Sequence, residues 1–133
     1  MIRILTLALV LAASPAHAIP ICKGGHLAER RATCLFDADT GHQRGRKWRL
    51  LDIDAPEMHG ECPAETRIAR QARDRLKALL DDGYRIHRSG KTDRAGRALV
   101  RIRLRDGRDA GGVLMSEGLA QPWPNRGNVW CGR

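Results

Sequence analysis

Between Ala98 and Arg105, apolar side chains alternate with mostly basic ones. Ala98, Val100, Ile102 and Leu104 are apolar, and three of the four intervening positions are arginine. Because successive side chains of a strand point to opposite faces, this pattern predicts a strand with one face on a core and one largely basic face. This stretch limits the possible folds more than any other, since such a strand must belong to a sheet that is covered on one side.

The rest of the pattern predicts an α+β domain. Residues 63–80 form an amphipathic helix that starts at Pro63, and the apolar face of this helix consists of Ile68, Ala72, Leu76, Leu79 and Leu80. Further predicted elements are strands at 28–36, 48–53 and 84–88, a polar hairpin connection at 41–47, a short helix at 113–117 and an irregular tail from Gln121. Short strands with one long and one short helix predict a small β-barrel.

The N-terminal residues have the three-part layout of a secretory signal peptide. Arg3 precedes an apolar run, and Ala16-His17-Ala18 is typical of a cleavage site. We expect cleavage after Ala18, which leaves residues 19–133 as one domain in the periplasm or outside the cell. Ser14-Pro15 ends the apolar run well short of the roughly 20 residues that a transmembrane anchor needs.

Charge and cysteines narrow the class of protein further. The formal net charge of +9 favours polyanionic partners, although a surface charge that serves only solubility is an equal alternative. The four cysteines predict two disulfides in an exported domain, with three possible pairings. A structural zinc site is the competitor, but the sequence contains no CxxC pair.

Three segments carry candidate chemistry: residues 37–40 (DADT), 49–57 (RLLDIDAPE) and 92–97 (TDRAGR). Each has an ordinary explanation taken alone, as an Asx turn, a solvated strand and a hairpin loop. Their combination and order resemble the staphylococcal nuclease (thermonuclease) family over about Thr33 to Trp123, ending in Gly118-Leu119-Ala120. The resemblance implies a five-stranded OB-like β-barrel with one long and one short helix. It also implies a monomeric calcium-dependent nuclease that cleaves DNA and/or RNA with activated water, leaving 3′-phosphate ends.

The resemblance assigns metal ligands. The carboxylates of Asp39 and Asp54 and the backbone carbonyl of Ala55 correspond to the ligands of one Ca²⁺ ion. A phosphodiester is anionic and resists attack, and a hard dication held by oxygen ligands offsets its charge.

It also assigns catalytic residues: Glu57 as the general base, and Arg49 and Arg97 as the arginines that bind the scissile phosphate. A guanidinium offers a planar fork of donors that suits phosphate oxygens. Because Arg49 and Asp54 are five residues apart, they nominally face opposite sides of a strand, which predicts a bend or bulge before Pro56.

The sequence departs from the family pattern at several positions. Ala38 replaces a glycine, which predicts a strained turn, and Gly41-His42-Gln43 replaces an alternating strand, which puts β-structure there in doubt. Ala95 replaces the loop aromatic that stacks near the nucleotide, and the loop after Glu57 is short. Trp48 is predicted to pack in the core.

Two other function classes compete with the nuclease. A catalytically inactive barrel that only binds nucleic acid would need neither the base nor the metal carboxylates. A cationic protein that acts on lipopolysaccharide or membranes would need a broader apolar helix face than residues 63–80 provide. The stripe of Arg101, Arg103 and Arg105 is explained either as a track for a phosphate backbone or as a solvated strand face.

Overall fold

The computed structural model of the chain describes residues 18–24 and 31–132. Residues 1–17, with nearly all of the predicted signal peptide, and the first part of the strand predicted at 28–36 lie outside these residues. The elements are β1 (Cys34–Leu35), β2 (Thr40–Gln43), β3 (Arg46–Leu50), β4 (Ile53–Asp54), α1 (Pro63–Asp81), β5 (Tyr84–Thr92), β6 (Ala98–Leu104), α2 (Ala110–Ser116) and β7 (Gln121–Pro122). The predicted α+β class is confirmed.

Five strands form one mixed sheet in the order β1-β2-β3-β6-β5. β3 and β6 run parallel, and the other neighbours are antiparallel. β4 pairs with β7 in a separate two-stranded ladder, so the tail after Gln121 is not wholly irregular. Within the described ranges the pairing runs from β1 to β5 without joining these two strands. The likeness to an OB-like barrel therefore rests on the mixed five-stranded sheet and its two helices.

The core lies between this sheet and the helices. Trp48, Val100, Ile102, Leu76 and Leu114 are each at most 1 % exposed. The strand pattern at 98–105 is confirmed, because the apolar positions of β6 face this core and the arginines lie in solvent.

Helix α1 begins at Pro63 as predicted and ends one residue later than predicted, at Asp81. Ile68, which the sequence pattern predicts on the apolar face, is only half-buried, and Ala69 packs in the core instead. Helix α2 begins at Ala110 rather than at residue 113, because the Asp109 carboxylate accepts a hydrogen bond from the Gly112 N–H at 2.8 Å and caps it.

The doubt about β-structure after Thr40 was wrong. Thr40–Gln43 forms β2, and only Arg44 and Gly45, both with positive φ, connect it to β3. The glycine at 41 is required by packing, because a Cβ there would lie 2.5 Å from Cζ2 of Trp48. β5 likewise extends to Thr92, beyond the predicted 84–88, with a register shift after Arg88.

Covalent and polar contacts fix both ends of the described chain. The disulfides are Cys22–Cys34 and Cys62–Cys131, which resolves the pairing that the sequence left open. Ile19 is buried, and its backbone nitrogen donates a hydrogen bond to Oδ1 of Asp81 at 2.8 Å. The N-terminal segment is thereby held against the end of α1.

Candidate active site

The ends of β3 and β4, the β5–β6 loop and the tail surround a depression of about 810 Å³. Residues of segments 49–57 and 92–97 line this depression. Segment 37–40 lies behind it, where Asp39 is next to Arg49. The lining residues are Arg49, Asp54, Glu57, Thr92, Asp93, Arg94, Ala95, Arg97 and Trp123.

Arg49 lies on β3 between two carboxylates. Its Nη1 is 3.7 Å from Oδ2 of Asp39, and its Nη2 is 3.9 Å from Oδ1 of Asp54. The guanidinium also lies over the ring of Trp123, with Cζ 5.7 Å from the ring centroid. Its side chain keeps only 16 % of its surface exposed. Arg49 is therefore held in place on several sides.

The predicted bend between Arg49 and Asp54 is confirmed. β3 ends at Leu50, and Asp52 adopts a positive φ of 63° before β4 begins. This left-handed residue breaks the two-residue alternation of the strand. In a continuous strand, Asp54 and Arg49 would face opposite sides. The bend lets the Asp54 carboxylate approach the Arg49 guanidinium.

Asp39 is 2 % exposed and is thus as deeply buried as Ala55 among the predicted site residues. Its Oδ2 accepts a hydrogen bond from the backbone N–H of Ala55 at 3.0 Å. Burial and the charge of Asp37 raise the pKa of Asp39 to about 8, although Arg49 opposes this shift.

The turn before Asp39 is ordinary in its backbone. Asp37 accepts hydrogen bonds from the N–H groups of Asp39 and Thr40, so the Asx-turn explanation holds for Asp37 itself. The prediction of strain at Ala38 was wrong: among the described non-glycine residues only Arg44 and Asp52 have positive φ, and Ala38 packs in the core.

Two amides that sequence reasoning missed hold Asp54. Gln121 and Asn125 each donate a side-chain hydrogen bond to its Oδ2 at 2.8 Å. Both belong to the tail that was predicted to be irregular, and β7 brings that tail to β4.

Glu57 follows Ala55-Pro56 on an exposed loop at the edge of the depression. Partial desolvation of its carboxylate raises the pKa of Glu57, the charges of Asp37 and Asp54 raise it further, and Arg49 opposes them. A raised pKa makes a carboxylate a stronger base near neutral pH.

The loop that carries Glu57 is fixed by Glu65, a third residue that sequence reasoning missed. Glu65 lies in the first turn of α1, is 3 % exposed, and accepts hydrogen bonds from the N–H groups of Glu57 (3.0 Å) and Glu61 (2.8 Å). The side chain of Asn128 donates a third hydrogen bond, at 2.6 Å. Burial alone would raise the pKa of Glu65, but these three hydrogen bonds lower it overall.

The β5–β6 loop fixes the orientation of the Arg97 side chain. Asp93 accepts hydrogen bonds from the Arg97 backbone N–H at 3.0 Å and from its Nε at 2.7 Å. Gly96, with a φ of 77°, allows the tight return between them. The signal for Asp93 was present in the sequence, since it lies in the third segment, but only the structure assigns it this contact.

An aromatic side chain lines the site from an unexpected segment. Ala95, where the family pattern has an aromatic residue, is exposed on the loop. Trp123 comes from the tail, is 53 % exposed and lies over Arg49. Trp48, by contrast, is 1 % exposed in the core, as predicted.

The family model for staphylococcal nuclease homologues matches residues 47–127, more than half of the chain. The chain belongs to the staphylococcal nuclease family. The match includes Arg49, Asp54, Ala55, Glu57 and Arg97, whereas Asp39 precedes it. A search of curated protein sequences returned no match. Within the described ranges no helix is both long and apolar enough to cross a membrane.

The donor set suits the metal implied by the nuclease family. The ligands that the family resemblance implies, Asp39, Asp54 and the carbonyl of Ala55, would all offer hard oxygen atoms, which calcium prefers. The pKa of Asp39 is high because burial and the nearby Asp37 disfavour its negative charge, and the surrounding protein groups stabilise that charge only in part. A bound dication would stabilise it further. The residues present therefore fit a calcium ion. A second cluster, Cys22, Cys34 and His42, has its two sulfur atoms joined in a disulfide.

Proposed function

We propose that this member of the staphylococcal nuclease family is an exported, calcium-dependent phosphodiesterase that hydrolyses DNA and/or RNA. The observation that carries the proposal is that Arg49, Asp54, Glu57 and Arg97 line one open depression while Asp39 lies directly behind Arg49. An inactive nucleic-acid-binding barrel would need the arginines but would gain nothing from a base of raised pKa beside them.

Each side chain has a role in the proposed reaction. Arg49 and Arg97 donate hydrogen bonds to the non-bridging oxygens of the scissile phosphate, where negative charge grows in the transition state. Glu57 accepts the proton of the attacking water as its oxygen bonds to phosphorus, the bond from phosphorus to the leaving ester oxygen breaks, and that oxygen takes a proton from solvent. When bound by Asp39, Asp54 and the Ala55 carbonyl, calcium supplies further positive charge to the phosphate.

Three side chains would act by positioning these groups. Asp93 holds the guanidinium of Arg97, and Glu65 holds the loop of Glu57. Trp123 restricts Arg49 from the open side of the depression and offers a face on which a base can stack.

Export is the second part of the proposal. Two disulfides are typical of proteins in oxidising compartments. Together with the signal-peptide pattern of residues 1–18, they support a mature domain of residues 19–133 in the periplasm or outside the cell. We further propose that this domain acts as a monomer.

One assay tests the activity directly. Purified mature protein is incubated with plasmid DNA and with single-stranded RNA, in calcium and in excess chelator. We expect cleavage in calcium, its loss in chelator and its return when calcium is restored. Binding of either nucleic acid without cleavage under every metal condition would favour the inactive barrel and contradict the proposal.

A further inference from the structure

The outer face of β5 and β6 carries more positive charge than a solvated strand face requires. Arg101, Arg103 and Arg105 are exposed on β6 and at its end. In the antiparallel register Arg103 lies directly opposite Arg85, and Arg101 lies opposite His87. Two arginines in cross-strand register repel each other, which destabilises the bare sheet. A polyanion bound on this face would reverse the sign of that contribution.

Few acidic groups offset this charge. Arg101 forms an ion pair with Asp52, and Arg103 donates to the carbonyl oxygen of Gly107 at 2.9 Å. Among the ion pairs of residues 18–24 and 31–132, none involves Arg85, Arg103 or Arg105. The face is therefore a row of cations open to solvent.

The row leads to the candidate active site. The parallel register of β3 and β6 places Arg49 beside Leu99, which shares its sheet face with Arg101 and Arg103. With about 3.3 Å of rise per residue, Arg101 lies about 7 Å and Arg103 about 13 Å along β6 from that point. The distance suits a few nucleotides, within the roughly 4–16 that an OB fold binds.

A contact chain joins the row to the rim of the site. Asp52, the partner of Arg101, accepts a hydrogen bond on its backbone oxygen from the Trp123 N–H at 3.0 Å. Trp123 in turn lies over Arg49. At the far end, a second depression of about 410 Å³ is lined by Gly83, Tyr84, Arg85, Arg103, Leu104, Arg105 and Gly107.

We propose that Arg85, Arg101, Arg103 and Arg105 form a phosphate track that binds the continuation of a single-stranded substrate beyond the scissile bond. The inference rests on the proposed nuclease function and extends it to substrate length and strandedness. A single strand suits this face because the exposed Trp123 at the rim of the site can stack only on an unpaired base.

The test is direct binding, so that it does not depend on cleavage. Labelled single-stranded oligonucleotides of increasing length are titrated by fluorescence anisotropy without calcium, at several salt concentrations. The double variant Arg85→Gln/Arg103→Gln relieves a like-charge pair and should fold. Its Kd for long strands should rise about tenfold, and the slope of log K against log salt should become shallower by about 1.4, or 0.7 for each lost contact.

The matched control is Arg67→Gln/Arg70→Gln, which removes the same charge from the exposed face of α1. We expect this control variant to keep the wild-type affinity and salt slope. In the Arg85→Gln/Arg103→Gln variant, affinity should no longer increase with the length of the strand. Equal losses in the two variants, an unchanged slope in the track variant, or tighter binding to anionic phospholipid vesicles than to the oligonucleotide would overturn the track. Wild-type protein that binds with this length dependence but cuts nothing would refute the nuclease function alone.

Discussion

The buried carboxylate of Glu65 accepts a hydrogen bond from the backbone N–H of Glu57 at 3.0 Å, and so connects the first turn of α1 to the proposed base. The same carboxylate accepts the N–H of Glu61, so both ends of the short loop are fixed by one side chain. Gly60 lies so close that a Cβ there would be 2.8 Å from Cβ of Glu65. Residues 57–61 thus have little freedom to move relative to the helix.

Glu65→Gln should lower turnover although Glu65 touches no substrate. The N–H groups of Glu57 and Glu61 bind different oxygens of the carboxylate, so glutamine would place its own NH₂ group against one of them, and a buried donor left without an acceptor costs about 1–3 kcal/mol. The measurement is kcat and KM on a defined oligonucleotide, where we expect kcat to fall and KM to change little. Glu117→Gln, which removes an exposed carboxylate paired with Arg75, is the control. Equal kcat in the two variants would show that Glu65 does not position Glu57.

The stability contributed by Glu65 should depend on pH. Since its hydrogen bonds lower its pKa in the folded protein, its contribution is fully present above its unfolded pKa and is lost as pH falls through the folded value. Urea unfolding free energies of wild type and Glu65→Gln should therefore differ most near neutral pH, and the difference should shrink as pH falls below the ordinary pKa of a glutamate, about 4.3. A difference that stays constant across this range would refute the assignment.

Glu57→Gln and Arg97→Lys separate the base from the phosphate ligand. Loss of the base should keep substrate binding and reduce turnover by about 100- to 10,000-fold. Lysine cannot reproduce the forked contact of Arg97, so kcat and kcat/KM should fall together. Wild-type rates in both variants would place the active site elsewhere, and a lower melting temperature with normal turnover in Arg97→Lys would make that residue structural.

The two disulfides should differ in their effect on activity. Replacing Cys62 and Cys131 by serine should destabilise the fold by about 2–5 kcal/mol and also lower turnover, because the tail that carries Asn128 is then free to leave Glu65. The matched Cys22→Ser/Cys34→Ser variant should be destabilised with near-normal turnover in its folded fraction. Thermal unfolding and initial rates below the transition measure the two effects, and equal kcat in both variants would contradict the difference.

Cleavage after Ala18 should stabilise the domain. It would turn the Ile19 nitrogen, which lies 2.8 Å from Oδ1 of Asp81, into a charged α-ammonium. Hydrogen bonds to charged groups are stronger than neutral ones, so we expect a gain of about 1 kcal/mol or less at this half-exposed carboxylate. Melting temperatures of chains that begin at Ile19 and at Ala18 measure it. The gain should vanish in Asp81→Asn, and an equal gain in that variant would assign it to another cause.

The sequence predicted those elements whose formation depends on residues close together in the chain. The alternation around Val100 and the helix start at Pro63 depend on strand period and backbone chemistry, and both are confirmed. The role of Gly41 depends on the Trp48 ring across the sheet, a contact that no window of sequence contains. The local pattern therefore predicted a hairpin connection at this position.

The site shows the same division. Arg49, Asp54 and Glu57 are close in sequence. The need for Arg49 and Asp54 to converge predicts a bend before Pro56, and the structure places that bend at Asp52. Gln121, Asn125 and Asn128 reach the site through the β4–β7 pairing and a disulfide. Such long-range contacts leave no local periodicity, so sequence reasoning had no signal for them.

The Cys62–Cys131 bridge also has a consequence for the fate of the protein among proteases. The end of β5 exposes Lys91 and the β5–β6 loop exposes Arg94, where trypsin-like enzymes cut, and both residues lie between the two bridged cysteines in the sequence. A molecule nicked there would remain one covalent species that contains Glu57 and Arg97, and only a reductant would separate its two pieces.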